Sequence, residues 1–266
     1  MKDTNSITDS PVPHEQVNQL TSNGFLLLKH FDDSQLVASV LAVSERRAQA
    51  IRDALGGRDI GIGSAAGFEE IVQRSPGRWD VPISMAEFGL NDCDLPWWSL
   101  IATVLGEDAE HSFSGVVSSE PSSPAQFWHT DSPHLAAEHL GPHAINVMMA
   151  LHDVPMEMGP TECARGSHFL TNHLSNPALK IDELVYQHLS TTPALLVKDT
   201  DHHEPKRSAK SLAAGTCLIF DDRLLHRGLA NRSKLTRHIA YFSYRQKGYV
   251  GNTHFEAQRS VFDAAD

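Results

Sequence analysis

The stretch CLIFDDRLLHRGLANRSKLTRHIAYFSYR, residues 217–245, holds two apolar runs of strand length joined by a polar segment. The first run ends in acids and then presents His226. In the second, Arg237, Ile239, Tyr241 and Ser243 alternate with Ala240, Phe242 and Tyr244, so an extended backbone puts the arginine and its i+2 series on one face. An arginine facing inward from a strand this apolar needs an anion to offset its burial. The segment therefore predicts two strands that carry a charged site as well as a core.

Working outward, short β-rich runs recur from residue 112: SFSGVVSS (112–119), AQFWHT (125–130), HAINVMMALHDV (143–154), TPALLVK (192–198), GTCLIFDD (215–222) and RHIAYFSYR (237–245). Pro142, Pro160 and Gly215 punctuate them. The spacing predicts an antiparallel sandwich or barrel, mainly β with flanking helices. The helices load at the N-terminal end. His14 to Asn23 is expected as a short helix stopped by Gly24, and Phe25 to Leu28 as a buried strand. Asp32, Asp33 or Ser34 caps a longer helix whose apolar positions, Leu36, Val37, Val40, Leu41, Ser44, Ala48, Ile51 and Leu55, recur every three or four residues up to Gly56-Gly57.

Gly57 to Gly67 and Pro76 to Pro96 are irregular in pattern. Gly61-x-Gly63 lacks the third glycine and the Gly-Lys-Ser/Thr of a phosphate loop, so a mobile loop is the expectation there. Leu95 to Leu105 is expected as a helix with Trp97 and Trp98 packed in the core. Residues 1–13 are expected to be a disordered lead-in, and 14–266 a single domain with its β core from about residue 112.

Composition narrows the partners. The chain has 266 residues, 41% hydrophobic and 21% charged, and a net charge of 22 − 33 = −11 with histidine neutral. That is an ordinary soluble composition, and the acidic balance argues against nucleic acid and anionic membranes. Cys93, Cys163 and Cys217 show no Cys-x-x-Cys spacing and are expected as reduced, mostly buried thiols, which suits the cytosol. The polar N-terminus is not a secretory signal, and no run is apolar for long enough to span a bilayer. A small-molecule substrate is the expected partner, with a homodimer left open.

With 16 histidines, about one His-x-Asp triplet arises by chance. His30-Phe31-Asp32 has the plain reading of a helix cap, and His202-His203-Glu204 stands in a charged loop with no partner pattern. His129-Thr130-Asp131 differs. Residues i and i+2 of an extended chain share a face, so both can reach one ion, and His226, past the end of another strand, can complete the set. Two neutral imidazoles and one carboxylate leave three open positions on an octahedral metal, the facial-triad arrangement of non-haem Fe(II) oxygenases; zinc would also accept these ligands. A 2-oxo acid could fill two positions and leave one for O2. Its decarboxylation supplies two of the four electrons that O2 needs, and a far carboxylate would require a fixed cation. Arg237, 11 residues past His226, suits that bidentate task.

QFWHTD (126–131), ALHDVPMEMGPTECARGSH (150–168), FDDRLLHRGLANRSKLTR (220–237) and GFLLLKHFDDSQLV (24–37) together resemble the phytanoyl-CoA dioxygenase superfamily of Fe(II)/2-oxoglutarate-dependent oxygenases, from about residue 20 to 250. The resemblance implies a double-stranded β-helix, a jelly-roll or cupin-like barrel with the metal inside one mouth. It implies His129, Asp131 and His226 as iron ligands, Arg237 as the 2-oxoglutarate anchor, and Thr161 as a further co-substrate contact.

It also implies oxidation, in the first instance hydroxylation, of a metabolite or natural-product intermediate, with release of succinate and CO2 in the cytoplasm. A carboxylate at Asp131 separates the chain from related halogenases, which carry glycine or alanine there. Departures from the family pattern are Met158 for the usual Asn, Arg165 for Pro, His238 for Pro, and Gln126 one residue away from the metal-proximal Gln. Met158 and Arg165 are expected to line a turn near the site. Trp128 is expected in the barrel wall, and Asn231 and Ser233 in the turn after His226. His134, His152 and His168 are expected as structural histidines, with a pocket-facing His168 as the variant reading. Residues 198–210 and 57–67 are lid candidates. The alternatives are a metal-dependent hydrolase or isomerase on the same barrel, and a non-catalytic jelly-roll binding module.

Overall fold

The structure is a computed structural model that describes residues 14–28, 34–132, 139–169, 207–249 and 257–263. Helix α1 (His14–Asn23) ends at Gly24, whose amide bonds the Leu20 carbonyl at 2.8 Å, and strand β1 (Phe25–Leu28) follows directly. Helix α2 (Ser34–Leu55) buries Val37, Val40, Ser44 and Ile51 along one stripe, as its periodicity predicts.

The region expected to be irregular holds a hairpin instead, β2 (Val72–Ser75) and β3 (Arg78–Pro82), turned at Pro76-Gly77. Two capped elements follow: α3 (Met85–Phe88), opened by a Ser84/Glu87 capping box, and α4 (Trp98–Leu105). Trp97 is fully buried and its indole donates to the Tyr244 hydroxyl at 3.0 Å; Trp98 is half-buried against the same core.

The remaining strands are β4 (Glu110–Ser119), β5 (Ala144–Ala150), β6 (Thr161–Ala164), β7 (Arg207–Ser208), β8 (Cys217–Asp221), β9 (His226–Gly228) and β10 (Arg237–Arg245). A seven-stranded sheet has the order β1-β8-β5-β10-β4-β3-β2 and a three-stranded sheet the order β7-β6-β9, every strand pair antiparallel. The large sheet does not close on itself. Phe25, Cys163, Leu218, Phe220 and Leu224 pack the small sheet against it. This is the two-sheet, mainly β arrangement of a double-stranded β-helix, with three strands of the large sheet drawn from before residue 112.

Two expectations are corrected. AQFWHT is not a strand: its one ladder pairing with β9 is the isolated bridge between His129 and His226. Cys93 is exposed; Cys163 and Cys217 are buried, and all three thiols are free. TPALLVK, His30-Phe31-Asp32, His134, His202-His203-Glu204 and the lead-in lie outside the described residues, as does most of 198–210.

Candidate metal centre

The convergence begins with a turn. Asp221 and Arg223, both buried, form an ion pair that closes the loop after β8, with the Arg223 amide donating to Asp221 Oδ1 at 3.0 Å. That turn delivers His226 to the start of β9. The chain at His129 docks alongside through paired amide–carbonyl bonds of 3.1 and 2.9 Å. Gln126 fastens the same segment one step further on: its amide donates to the Gly228 carbonyl at 2.9 Å and its side-chain oxygen accepts from the Gly228 amide at 3.0 Å. Gln126 is thus occupied in holding the loop.

His129, Asp131 and His226 each present one donor atom, and these atoms lie within 4.8 Å of one another. Nδ1 of His129 donates to the Phe127 carbonyl at 2.9 Å and Nδ1 of His226 to the Leu224 carbonyl at 3.0 Å. A carbonyl can only accept, so both Nδ1 atoms carry protons and both Nε2 lone pairs are left for the centre. Burial, together with the neighbouring His226, pushes the His129 imidazolium down to about 4, so the ring is neutral at neutral pH. Asn146 on β5 donates to Asp131 Oδ2 at 2.6 Å and accepts from the Ser243 hydroxyl of β10, its register partner. One carboxylate oxygen is thereby committed, while Oδ1 lies 3.8 Å from His226 Nε2.

The centre opens into a cavity of about 1410 Å³. Arg237, 3% exposed, lines it as expected: Nη2 donates to Ser119 Oγ at 2.8 Å, Nη1 donates to the Gly159 carbonyl, and Nε has no partner. Gly159 has φ +69°, and an added Cβ would lie 2.4 Å from the Ala230 and Leu229 carbonyl oxygens, so the Met-Gly-Pro-Thr turn admits only glycine there.

A second guanidinium was not foreseen. Arg78 on β3, 1% exposed, donates from Nε to the same Ser119 oxygen at 2.9 Å and leaves Nη1 unpartnered. Among the described residues no carboxylate pairs with either arginine. Burial lowers Arg78 to about 10, and burial together with the nearby Arg78 lowers Arg237 to about 9. The sequence signal for Arg78 was the Pro-Gly turn at 76–77, which marks a hairpin and so places Arg78 on a strand.

Thr161 lines the cavity with its hydroxyl 3.8 Å from Met148 Sδ. Trp128 is buried away from the cavity under the Arg227 guanidinium, 4.7 Å from its ring centroid. Asn231 braces the following turn by donating to the Ser119 and Leu235 carbonyls, and Ser233 caps it, as expected.

Neither Met158, buried in an apolar cluster with Val154 and Ile239, nor the exposed Arg165 lines the cavity. His168 does not face it either: it is buried behind α1, donating from Nε2 to the Thr21 carbonyl at 3.1 Å. His152 accepts from the His238 amide at 2.9 Å and is structural. Of the lid candidates, Ser64 in the 57–67 loop reaches the cavity.

The donor set suits a divalent iron: two neutral nitrogens and one oxygen on one side of a roomy cavity that also holds two buried cations with unpartnered N–H groups. Comparison with known proteins agrees. The family model for phytanoyl-CoA dioxygenase matches residues 20–239, so the chain belongs to the phytanoyl-CoA dioxygenase family of Fe(II)/2-oxoglutarate-dependent oxygenases. Among curated proteins no sequence matches.

Similar solved structures include HygX from Streptomyces hygroscopicus with nickel, 2-oxoglutarate and hygromycin B bound. It has 16% identity and TM-score 0.61, over 96% of this chain and 95% of that one. AviO1 from Streptomyces viridochromogenes Tue57 shows 19% identity and TM-score 0.59 over 91% and 98% of the two chains. EctD from S. alaskensis with 2-oxoglutarate and 5-hydroxyectoine shows 16% identity and TM-score 0.59 over 92% and 79%. At these identities the likeness is one of fold. No helix among the described residues is long and apolar enough to cross a membrane.

Proposed function

We propose that the protein couples the oxidative decarboxylation of 2-oxoglutarate to the oxidation of a polar small molecule, in the first instance its hydroxylation. The observation that carries this is the meeting of His129, Asp131 and His226 in the same cavity as two buried arginines that no acid among the described residues neutralises. His129 Nε2, His226 Nε2 and Asp131 Oδ1 would hold Fe(II). What the metal and 2-oxoglutarate supply when bound is O2 activation, with succinate and CO2 as products.

The chain's own residues do the rest. The carbonyls of Phe127 and Leu224 fix both imidazoles in the ligating tautomer. Asn146, oriented by Ser243, holds one oxygen of Asp131 and keeps the other aimed inward. Arg237 and Arg78 receive the far carboxylate of 2-oxoglutarate, their unpartnered Nε and Nη1 N–H groups serving as donors. Thr161 contributes a hydroxyl on the same wall. The apolar rings of Phe220 and Tyr241 limit water near the reacting carbon.

HygX is bound to hygromycin B and EctD to 5-hydroxyectoine, polar small molecules both, and the polar lining here supports a substrate of that kind. The chemistry runs in the cytoplasm on this reading, with reduced thiols as its support. Anaerobic titration with Fe(II) and 2-oxoglutarate tests the proposal. A weak visible charge-transfer band should appear, weaken in Arg237→Ala and vanish in His226→Ala; folded wild-type protein without the band would refute it.

A further inference from the structure

The cavity is electrically unequal along its length. Arg237 opens β10 beside Ser119, and Arg245 closes it beside Ala144, eight residues or about 26 Å of strand away. At that second end the Asp222 amide bonds the Ala144 carbonyl, and the Asp222 carbonyl accepts from the Asp131 and Ser132 amides at 2.9 and 3.2 Å. Asp222 is one of the residues that line the cavity, its side chain is 3% exposed, and the Ser132 hydroxyl and His143 both hydrogen-bond its carboxyl group. Its Oδ2 lies 3.5 Å from His143 Nε2, and its Oδ1 has no hydrogen-bond partner.

No lysine or arginine of the described residues pairs with it. Arg223 is committed to Asp221, and Arg245 at the same rim is matched by Glu110 at 3.2 Å. Tyr249, stacked on His143 with ring centroids 4.3 Å apart, adds aromatic surface to the cavity wall beside the carboxylate.

We propose that Asp222 anchors a cationic group of the substrate. A protonated amine or guanidinium borne by a polar small molecule enters with its charge against the Asp222 carboxylate, which leaves an adjacent carbon facing His129, Asp131 and His226. The inference rests on the oxygenase reading for the reaction and on Asp222 alone for the substrate class. A carboxylate buried this far with one oxygen unmatched is costly, and a substrate cation would supply both a hydrogen bond and the compensating charge. A substrate hydroxyl offers only the first. The two ends of the cavity then receive opposite charges, the 2-oxoglutarate dianion at Arg78 and Arg237 and the cation at Asp222, so each ligand is disfavoured in the other's place. Tyr249 favours the same class through its ring face.

The test uses anaerobic protein loaded with Fe(II) and 2-oxoglutarate, and a set of polar amines and guanidines, each paired with its N-acylated counterpart of nearly the same shape. Calorimetry and perturbation of the visible band read binding. Amine members should bind and their acylated partners should not, and Asp222→Asn should weaken the amines roughly 10- to 100-fold while leaving the band intact. The inference is overturned if acylated partners bind as tightly, if no amine binds wild-type protein that shows the band, or if Asp222→Asn leaves amine affinity unchanged. It is also overturned if Asp222→Asn loses the band, which would make the carboxylate a prop for Asp131. A wild-type protein without the band would instead sink the oxygenase reading, and the inference with it.

Discussion

The two faces of the large sheet are made by the same strands and do opposite work. On β10, Ala240, Phe242 and Tyr244 join Ile145, Val147 and Met149 of β5 and Ile219 of β8 in a core covered by the N-terminal helices. The alternate residues of the same strands, Arg237, Tyr241, Ser243 and Asn146, line the cavity. One face is apolar and closely packed, with Phe242 5.1 Å from Trp97 and 5.8 Å from Phe88 between ring centroids. The other is buried yet polar, each group held by a hydrogen bond or left with a donor free. The difference teaches that burial alone does not mark a core: the covered face is packed for stability, and the polar buried face carries the candidate site.

Substitutions on either face should separate the two roles. His226→Ala should abolish metal and 2-oxoglutarate binding, read as loss of the visible band, with the melting temperature of the metal-free protein little changed. On the opposite face, Phe242→Ala should cost about 3–5 kcal/mol of stability by leaving a cavity among packed rings, measured by denaturant unfolding. If instead it abolished binding at unchanged stability, the division would fail.

Asn146→Ala should leave folding nearly intact and weaken metal affinity about 10- to 100-fold, as loss of a hydrogen bond to a ligating carboxylate does; nickel calorimetry would show it. Equal affinity in the variant would remove Asn146 from the site. A further effect, graded with pH rather than fixed, belongs to buried histidines on neither catalytic wall. Burial holds His168 and His238 down at about 4. Below the ordinary value of 6.5 the unfolded chain takes up protons that the native state refuses. Stability is therefore full above pH 6.5 and falls as pH drops toward 4, by roughly 1.4 kcal/mol per pH unit for each group. Thermal melts from pH 7.5 to 4.5 would show a decline, and a rise would contradict the assignment.

Arg237 could be read in the chain because it opens an apolar strand on the face of Tyr241 and Ser243, and His129 and Asp131 because an i, i+2 pair can reach one ion, although the segment that carries them is a loop and not the expected strand. The apolar runs at regular spacing led to an antiparallel sandwich or barrel, and the double-stranded β-helix came from the family resemblance. Where the reading failed, the hydrophobic pattern had been displaced by function. The hairpin at 72–82 was missed because Arg78 and Asp80, buried on its inner face, interrupt the apolar alternation that marks a strand. AQFWHT looked extended for the reverse reason: Phe127 is exposed and only Trp128 is buried there, so the segment is a loop pinned by two residues. Arg78 and Asp222 acquire meaning only from tertiary neighbours, the shared Ser119 hydroxyl in one case and an unmatched oxygen in the other.

That shared hydroxyl has a thermodynamic corollary. Two like charges gathered on one oxygen in a low-dielectric interior repel, and Arg237 is lowered first by its burial and then by Arg78. A dicarboxylate bridging them would convert that repulsion into attraction, so on the proposed reading the co-substrate would act as a clamp between β3 and β10 as well as a reactant. Its concentration would then tune how firmly the sheet's outer hairpin is fastened to its centre.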